Sequence, residues 1–217
     1  MTRVLVIRHG HADGNAEHRF IGQTDVSLDD TGRVQAQALA KRLRNSKIDR
    51  IVSSDLRRAI DTISPLAEAL DLPIEPEPRL REISNGEWSG LLPAEISAGW
   101  PDLWNDYRLG TDVLRPGGEQ WRAVRERAIE AVKEHSASGD LIVFCTHGGP
   151  ALNLALWAAG LAIDGNIFLG KLGAVDNTSI TTIELDPVSG GVRLIGFNDT
   201  GHLQRTPDVR LPFDPVP

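Results

Sequence analysis

Arg8-His9-Gly10 follows directly on the apolar run Val4-Leu5-Val6-Ile7, and His147-Gly148-Gly149 follows on Leu141-Ile142-Val143-Phe144-Cys145-Thr146. Short apolar runs rich in β-branched residues read as buried strands, and in open α/β sheets ligands gather at the carboxyl ends of strands. Each run empties into an imidazole with glycine behind it, and the first adds a permanent cation. A lone histidine at a strand end is usually an ordinary half-buried polar side chain. Two of them, 138 positions apart and each ahead of a helix, point to imidazoles meeting over one sheet edge. Glycine lets backbone approach a ligand closely, and a helix N-terminus offers N–H groups and positive dipole to an anion. Arginine, imidazoles and helix N-termini together suit a phosphate.

The elements that must position these groups alternate between strand and helix. Residues 3–8 form a strand, residues 9–30 a loop of turn formers, and Asp30-Thr31-Gly32 opens a helix whose apolar face is Ala36, Leu39, Ala40 and Leu43. Ile51-Val52-Ser53 is a second strand. The next helix carries Leu56, Ala59, Ile60, Ile63, Ala67 and Leu70 at 3.6 periodicity, with a kink expected near Asp61–Pro65 and Ser54 or Asp55 as its cap. Ile74 and Leu80–Ile83 suggest further short strands. Residues 88–118, with Trp88, Trp100, Trp104, Pro93, Pro101 and Pro116, read as short helices and loops forming a lid. A helix from Trp121 closes near Gly139, a strand spans 141–146, and a helix runs from about Pro150 to Ala159. Ser179–Leu185 and Val192–Phe197 form a hairpin, and 205–217 is an extended tail. The alternation predicts an α/β fold: a doubly wound, mostly parallel sheet flanked by helices, with a small lid inserted into a single domain over 1–217.

The whole chain narrows the chemistry. Its 217 residues, 41% hydrophobic, can bury one core. No apolar window approaches a membrane span, and the immediate strand at the N-terminus leaves no room for a signal peptide. A net charge of −7 disfavours nucleic acid and anionic membranes, yet arginines clustered in one cleft would still focus small anions. The lone Cys145, inside an apolar strand, reads as a small buried hydrophobe and fits a reducing cytoplasm. No cysteine, histidine or carboxylate cluster shows metal-ligand spacing.

Other polar groups cluster at element ends. In Ser53-Ser54-Asp55-Leu56-Arg57-Arg58-Ala59 the two arginines point about 100° apart on a helix, so only one can enter a site at the strand end. Leu80-Arg81-Glu82-Ile83-Ser84-Asn85-Gly86-Glu87-Trp88 offers two carboxylates, Glu82 and Glu87, either of which alone would be a surface charge. Arg8-His9-Gly10 with Asn15, Gly22-x-x-Asp25-x-x-Leu28-x-x-x-Gly32, Ser53-Ser54-Asp55-Leu56-x-Arg58-Ala59-x-x-Thr62, Leu80-x-Glu82-x-x-x-Gly86-x-Trp88-x-Gly90, Gly118-Glu119 and His147-Gly148 together resemble the histidine phosphatase superfamily, in its phosphoglycerate-mutase-like branch. The resemblance runs in order over about residues 3–202.

That resemblance implies a cofactor- and metal-free enzyme using a phosphohistidine. His9 would be the nucleophile. Arg8, Arg58 and His147 would hold the phosphoryl group, Asn15 and Gly148 would contact it, and Glu82 would be the proton donor. The residue types fit. A neutral imidazole attacks an anionic ester without adding charge, arginines neutralise its oxygens, and a carboxyl protonates the leaving oxygen.

One departure is His11, where the family usually has an acidic or amide residue; it is a rival imidazole at the mouth. Another is the lid, which holds only Arg108 and Arg115 between Gly90 and Gly118, whereas the family's mutases carry an adjacent basic run. Leaving-group recognition is expected in the lid, at Trp104 and Arg115, with Trp88 packing the lid on the core. His18, His135 and His202 read as ordinary surface or helix-end residues. The expected function is a cytoplasmic phosphatase of a small phosphorylated metabolite, without nucleic-acid or membrane partners and with a homodimer left open. Two alternatives stand beside it: a phosphoglycerate mutase, and a phospholigand-binding module without turnover.

Overall fold

The computed structural model describes residues 1–13, 19–162, 165, 167, 172–186 and 188–203. Its strands are β1 (Thr2–Arg8), β2 (Arg50–Ser53), β3 (Ile74–Pro76), β4 (Leu141–Thr146), β5 (Ile180–Leu185) and β6 (Val192–Asp199). Its helices are α1 (Asp30–Leu43), α2 (Arg57–Leu70), α3 (Pro93–Gly99), α4 (Pro101–Arg108), α5 (Trp121–His135) and α6 (Gly148–Ala158). The sheet runs β3-β2-β4-β1-β5-β6. The first four strands in that order are parallel, and β5 and β6 close one edge antiparallel. The α/β expectation holds.

Strands β1 and β4 lie at the centre, which explains their near-continuous apolar character: a parallel strand is covered on both faces. Alternate side chains go to opposite layers. Val4, Val6, Ile142 and Phe144 pack on one side with Val124, Ala128, Ala131 and Val132 of α5 and Leu152 of α6. Leu5, Ile7, Val143 and Cys145 pack on the other with Leu39 of α1 and Ala59, Ile63 and Leu66 of α2. The helix stripes read from the sequence are these two faces. Cys145 has no solvent exposure, its Sγ lies 3.3 Å from the Ala59 carbonyl, and burial pushes its thiol up to about 12.

Register brings the two motifs together. Arg8 pairs with Thr146 across the β1–β4 ladder, and His9 N donates to Thr146 O at 2.8 Å. His9 and His147 therefore leave the same sheet edge side by side. Gly32, near the start of α1, passes so close to this edge that a Cβ there would stand 2.0 Å from the His11 carbonyl oxygen; any side chain would push the helix off the loop.

Several boundaries differ from expectation. Residues 80–83 are not a strand; a 3-10 turn over Pro78–Leu80 leads into irregular chain whose carbonyls bond to side chains rather than to a ladder. The N-cap of α2 is Leu56, not Ser54 or Asp55. Asp55 is engaged by Arg81, and the cap is supplied from outside: Arg57 N donates to Asp25 Oδ1 at 2.8 Å. Pro65 sits within a helix assigned continuously from Arg57 to Leu70. Helix α5 ends at His135, with Gly139 reversing the chain beyond it at φ +125°. The tail at 205–217 lies outside the described residues.

The segment 88–118 contains the short helices α3 and α4 and a small core of its own. Trp88, Ile96 and Val113 are buried there, packed by Phe20, Trp100, Trp104 and Tyr107. Trp88 has no exposure, which agrees with a packing role.

Candidate active site

At the carboxyl end of β1, Gly10 N donates to Thr62 Oγ1 at 2.8 Å, and Asn177 Nδ2 donates to His9 O at 2.8 Å. The backbone is thus held on both sides of the nucleophile candidate. His9 Nδ1 stands 2.7 Å from Gly10 O. A carbonyl only accepts, so Nδ1 carries the proton and Nε2 presents its lone pair. Arg58 Nε lies 3.3 Å from that Nε2 and 3.1 Å from His147 Nδ1. His147 Nε2 is 2.8 Å from Ser54 Oγ, which completes the same tautomer logic for the second ring. Burial first, then the neighbouring guanidiniums, holds both imidazoles well below the ordinary histidine value. Both rings are neutral at neutral pH.

The cations are unusual in their setting. Arg58 is 3% exposed, and its Nη groups donate at 2.8 Å to the carbonyls of Gly22 and Thr24. Arg8 Nη1 reaches Val175 O at 2.5 Å, while Arg8 Nε is buried with no hydrogen-bond partner. Burial lowers the affinity of both guanidiniums for their protons, with Glu82 opposing it. Neither lies within ion-pair distance of a carboxylate among the described residues. An anion is the ligand such a pair lacks. Arg57, next door, is exposed and pairs with Asp61 at 3.5 Å, so the helix-face argument holds.

Glu82 comes from the irregular chain after the 3-10 turn. Its Oε1 accepts from Ile83 N at 2.9 Å and its Oε2 from Gly149 N at 3.1 Å, at the start of α6. A Cβ on Gly149 would stand 2.3 Å from Glu82 Oε1 and 2.4 Å from the Trp121 ring, so glycine is required for the carboxylate to reach this place. Glu87 is exposed.

A cavity of about 320 Å³ is lined by Arg8, His9, Arg19, Arg58, Glu82 and Gly148 together with Phe20, Tyr107, Arg115 and Trp121. His147 is fully buried behind His9, the rings 5.0 Å apart at 60°. Arg115 is 1% exposed, with its guanidinium 5.1 Å from the Trp121 ring, 5.6 Å from Tyr107 and 5.8 Å from Trp88. Trp104 does not line the cavity. It stacks on Tyr107 at 5.4 Å, and Tyr107 is the ring that faces inward. Asn15 lies outside the described residues. His11 Nδ1 bonds Asp29 Oδ2 at 2.5 Å, so the second imidazole is tied to the cap of α1.

Sequence reasoning missed Ser54 as the partner of His147, Trp121 as a cavity wall, and Phe20 and Tyr107. By sequence Ser54 offers itself as a cap and Trp121 as a helix-core residue. Phe20 and Tyr107 stand in stretches without periodicity, so nothing local marked them.

The family model of the histidine phosphatase superfamily (branch 1) matches residues 4–200. A glucosyl-3-phosphoglycerate phosphatase of Mycolicibacterium vanbaalenii is 34% identical over 182 residues, covering 80% of this chain and 81% of that protein. A phosphoglycerate mutase-like protein 4 of Arabidopsis thaliana is 33% identical over 212 residues, covering 94% and 88%. The solved structure of a mycobacterial glucosyl-3-phosphoglycerate phosphatase with VO3 superposes with a TM-score of 0.80 at 34% identity, covering 91% of this chain and 99% of that one. The chain belongs to the histidine phosphatase superfamily. It is an enzyme of the phosphatase class. Among the described residues no helix is long and apolar enough to cross a membrane.

Proposed function

We propose that this chain hydrolyses phosphate monoesters of small metabolites through a phosphohistidine on His9, and that it works in the cytoplasm without nucleic acid or membrane. The observation that carries the reading is the His9 imidazole: Nδ1 is bound to Gly10 O, and Nε2 is unprotonated beside Arg58 Nε. The Nε2 lone pair attacks phosphorus. The bond to the ester oxygen breaks, and that oxygen leaves with its electron pair and a proton from Glu82. Arg8, Arg58 and the Gly148 end of α6 hold the transferring oxygens, with Asn15 contributing from its loop. His147 joins them when Arg58 turns to the phosphoryl group and the ring proton moves to Nδ1, the Ser54 hydroxyl then donating to Nε2. Water then attacks phosphorus, its proton goes to Glu82, and the nitrogen recovers its lone pair as phosphate departs. No step needs a metal or a cofactor, and every residue used comes from one chain, so a homodimer is not required.

The lid supports hydrolysis over phosphoryl return. Of its two arginines, Arg108 is exposed and only Arg115 lines the cavity. The lid itself offers no adjacent pair of cations to grip a phosphoglycerate while it turned round; the further arginine at the cavity wall, Arg19, comes from outside the lid and donates to Gly90 O at 2.9 Å. The non-catalytic alternative is disfavoured because nucleophile, cations and carboxylate are all in place. In the reading proposed here the segment 88–118 is a lid on a single domain.

The test is phosphate release from a panel of sugar phosphates, phosphoserine, 3-phosphoglycerate and glucosyl-3-phosphoglycerate, the last suggested by the mycobacterial relatives. Turnover of one or more with free phosphate as product is expected. Brisk conversion of 3-phosphoglycerate to 2-phosphoglycerate without phosphate would favour the mutase, and tight binding without turnover would favour the binding module.

A further inference from the structure

Glu82 sits on chain that has no regular structure to fix it. The 3-10 turn ends at Leu80, and the carbonyls of residues 79–82 bond to side chains rather than to a backbone ladder. A proton donor that must meet a leaving oxygen within hydrogen-bond reach cannot tolerate a mobile support. The backbone here is held by side chains instead.

One side chain does most of it. Arg127, on α5, donates through Nη1 to Arg79 O and Arg81 O, both at 2.6 Å, and through Nη2 to Glu82 O at 3.0 Å. Its Nε reaches Glu119 Oε1 at 3.0 Å and its Nη2 also reaches Glu119 Oε2 at 3.1 Å. A guanidinium has five N–H donors in a fixed fork, and these five bonds occupy them all. Glu119 closes the circuit. Its Oε2 accepts from Ser84 N at 2.7 Å, and its backbone N donates to Ser84 O at 2.9 Å. Gln23 Nε2 adds a second donor to Glu82 O at 2.9 Å. On the other flank, Arg81 is tied to Asp55 through two bonds, at 2.7 and 2.5 Å.

Neither partner touches the cavity. Arg127 and Glu119 are absent from its lining, and their side chains are only 17% and 24% exposed. Their bonds do not reach His9, Arg8 or Arg58. Their side chains bond mainly the peptide groups around Glu82 and each other; beyond these, the Glu119 carbonyl accepts from Arg115 Nη1 at 3.1 Å, and the Arg127 charge is felt at His147.

We propose that Arg127 and Glu119 form a clamp that positions Glu82 for proton transfer, making both of them positioning residues for the second carboxyl-dependent half of the chemistry as well as the first. This rests on the reading of Glu82 as proton donor and base. The clamp sets where the carboxyl stands; it makes no hydrogen bond to Arg8, His9, Arg58 or His147, although the Arg127 charge helps to hold the His147 imidazole neutral.

The experiment compares two esters, an alkyl phosphate whose leaving oxygen needs a proton and p-nitrophenyl phosphate, whose leaving group does not. Glu82→Gln is the reference variant, and should lower kcat/KM for the alkyl ester far more than for the aryl ester. Arg127→Met should show the same pattern, with a loss on the order of 10²-fold for the alkyl ester and less than about tenfold for the aryl ester, and a burst of nitrophenol as the later attack by water slows. Inhibition by inorganic phosphate should be unchanged in Arg127→Lys, which keeps the charge that His147 senses and removes no bond to the phosphoryl seat. Arg127→Lys, which keeps the charge and stem but can make at most three of the bonds, should fall between, and gives the same comparison if the methionine variant does not fold. Equal losses on both esters, or none, in the variant that folds would overturn the clamp while leaving Glu82 in its role. If Glu82→Gln itself fails to discriminate the esters, the donor reading falls and the clamp falls with it.

Discussion

One N–H, Arg58 Nε, points between two rings: it lies 3.3 Å from His9 Nε2 and 3.1 Å from His147 Nδ1. Both nitrogens therefore accept, and both rings carry their protons on the far side. A phosphoryl group arriving at His9 Nε2 would take over part of this guanidinium's bonding. The arginine would shift from holding a lone pair to holding the oxygens of the group that lone pair captures.

From that relationship His9 is the attacking residue, and its replacement should be decisive. His9→Ala should abolish turnover with the melting temperature little changed. Quenching the wild type with labelled substrate should trap acid-labile, base-stable phosphoprotein. Label that persisted in His9→Ala and vanished in His11→Ala would move the nucleophile to the imidazole now bound to Asp29.

Arg58 and Arg57 are neighbours with opposite fates. Arg58→Ala should lower kcat/KM by the equivalent of about 2.7–4 kcal/mol, the usual worth of a donor to transition-state charge. Arg57→Ala, on the exposed face, should stay within about 0.5 kcal/mol in stability and leave the rate nearly unchanged. Comparable losses at both positions in steady-state assays would contradict the geometry.

Acid should destabilise the protein before it titrates the carboxylates. His9 and His147 are held well below the ordinary histidine value when folded. The unfolded chain takes up protons on both as pH falls below about 6.5, and the folded chain does not. Folding stability should be full above that value and decline as pH drops toward the folded values, by up to about 1.4 kcal/mol per pH unit for each ring. Glu77, which its bonds to Arg79 hold down to about 2, adds its own loss only at much lower pH. Urea unfolding at pH 7.5 and 5.0 reads the effect, and His147→Asn should flatten part of the slope. An unchanged midpoint between those two values would argue that the rings are protonated when folded.

Specificity should follow Tyr107 and Arg115 rather than Trp104. Replacing Tyr107 by Ala or Arg115 by Met should change relative rates among metabolite phosphates more than the rate on a small aryl phosphate. Trp104→Ala should act mainly through packing, and Trp88→Ala, fully buried, should lose about 3–5 kcal/mol of stability. A substrate panel and thermal melts on the same variants separate the two outcomes.

The central sheet was legible because its strands are buried on both faces, so Val4–Ile7 and Leu141–Cys145 announce themselves without alternation. The helix stripes of α1, α2 and α5 were equally open, since each turns one apolar face to a flat sheet. Helix geometry allows only one of Arg57 and Arg58 into the site, and the motif resemblance picks Arg58. What was hidden depended on contacts across long sequence distances. The apolar spacing around Glu82 looks like a strand's, yet the hydrogen bonds of this stretch go to Arg127, 45 or more residues further along. The cap of α2 comes from Asp25, and no local pattern points to it. In the lid, Trp104 drew notice by residue type, whereas the ring that faces the cavity is Tyr107, chosen by the packing of a small cluster that only the folded chain defines.

Cys145 gives the molecule a practical property. Oxidants and alkylating agents attack the thiolate, and this sole sulfhydryl is sealed between the sheet and α2 with its proton held up to about 12. Peroxide or maleimide at levels that silence thiol-dependent hydrolases should leave turnover intact. The native chain is in effect blank to thiol reagents, so a cysteine introduced on the surface of α4 would carry a fluorophore at that one place and report on the surroundings of this segment when ligand binds, without removal of any native residue from the core.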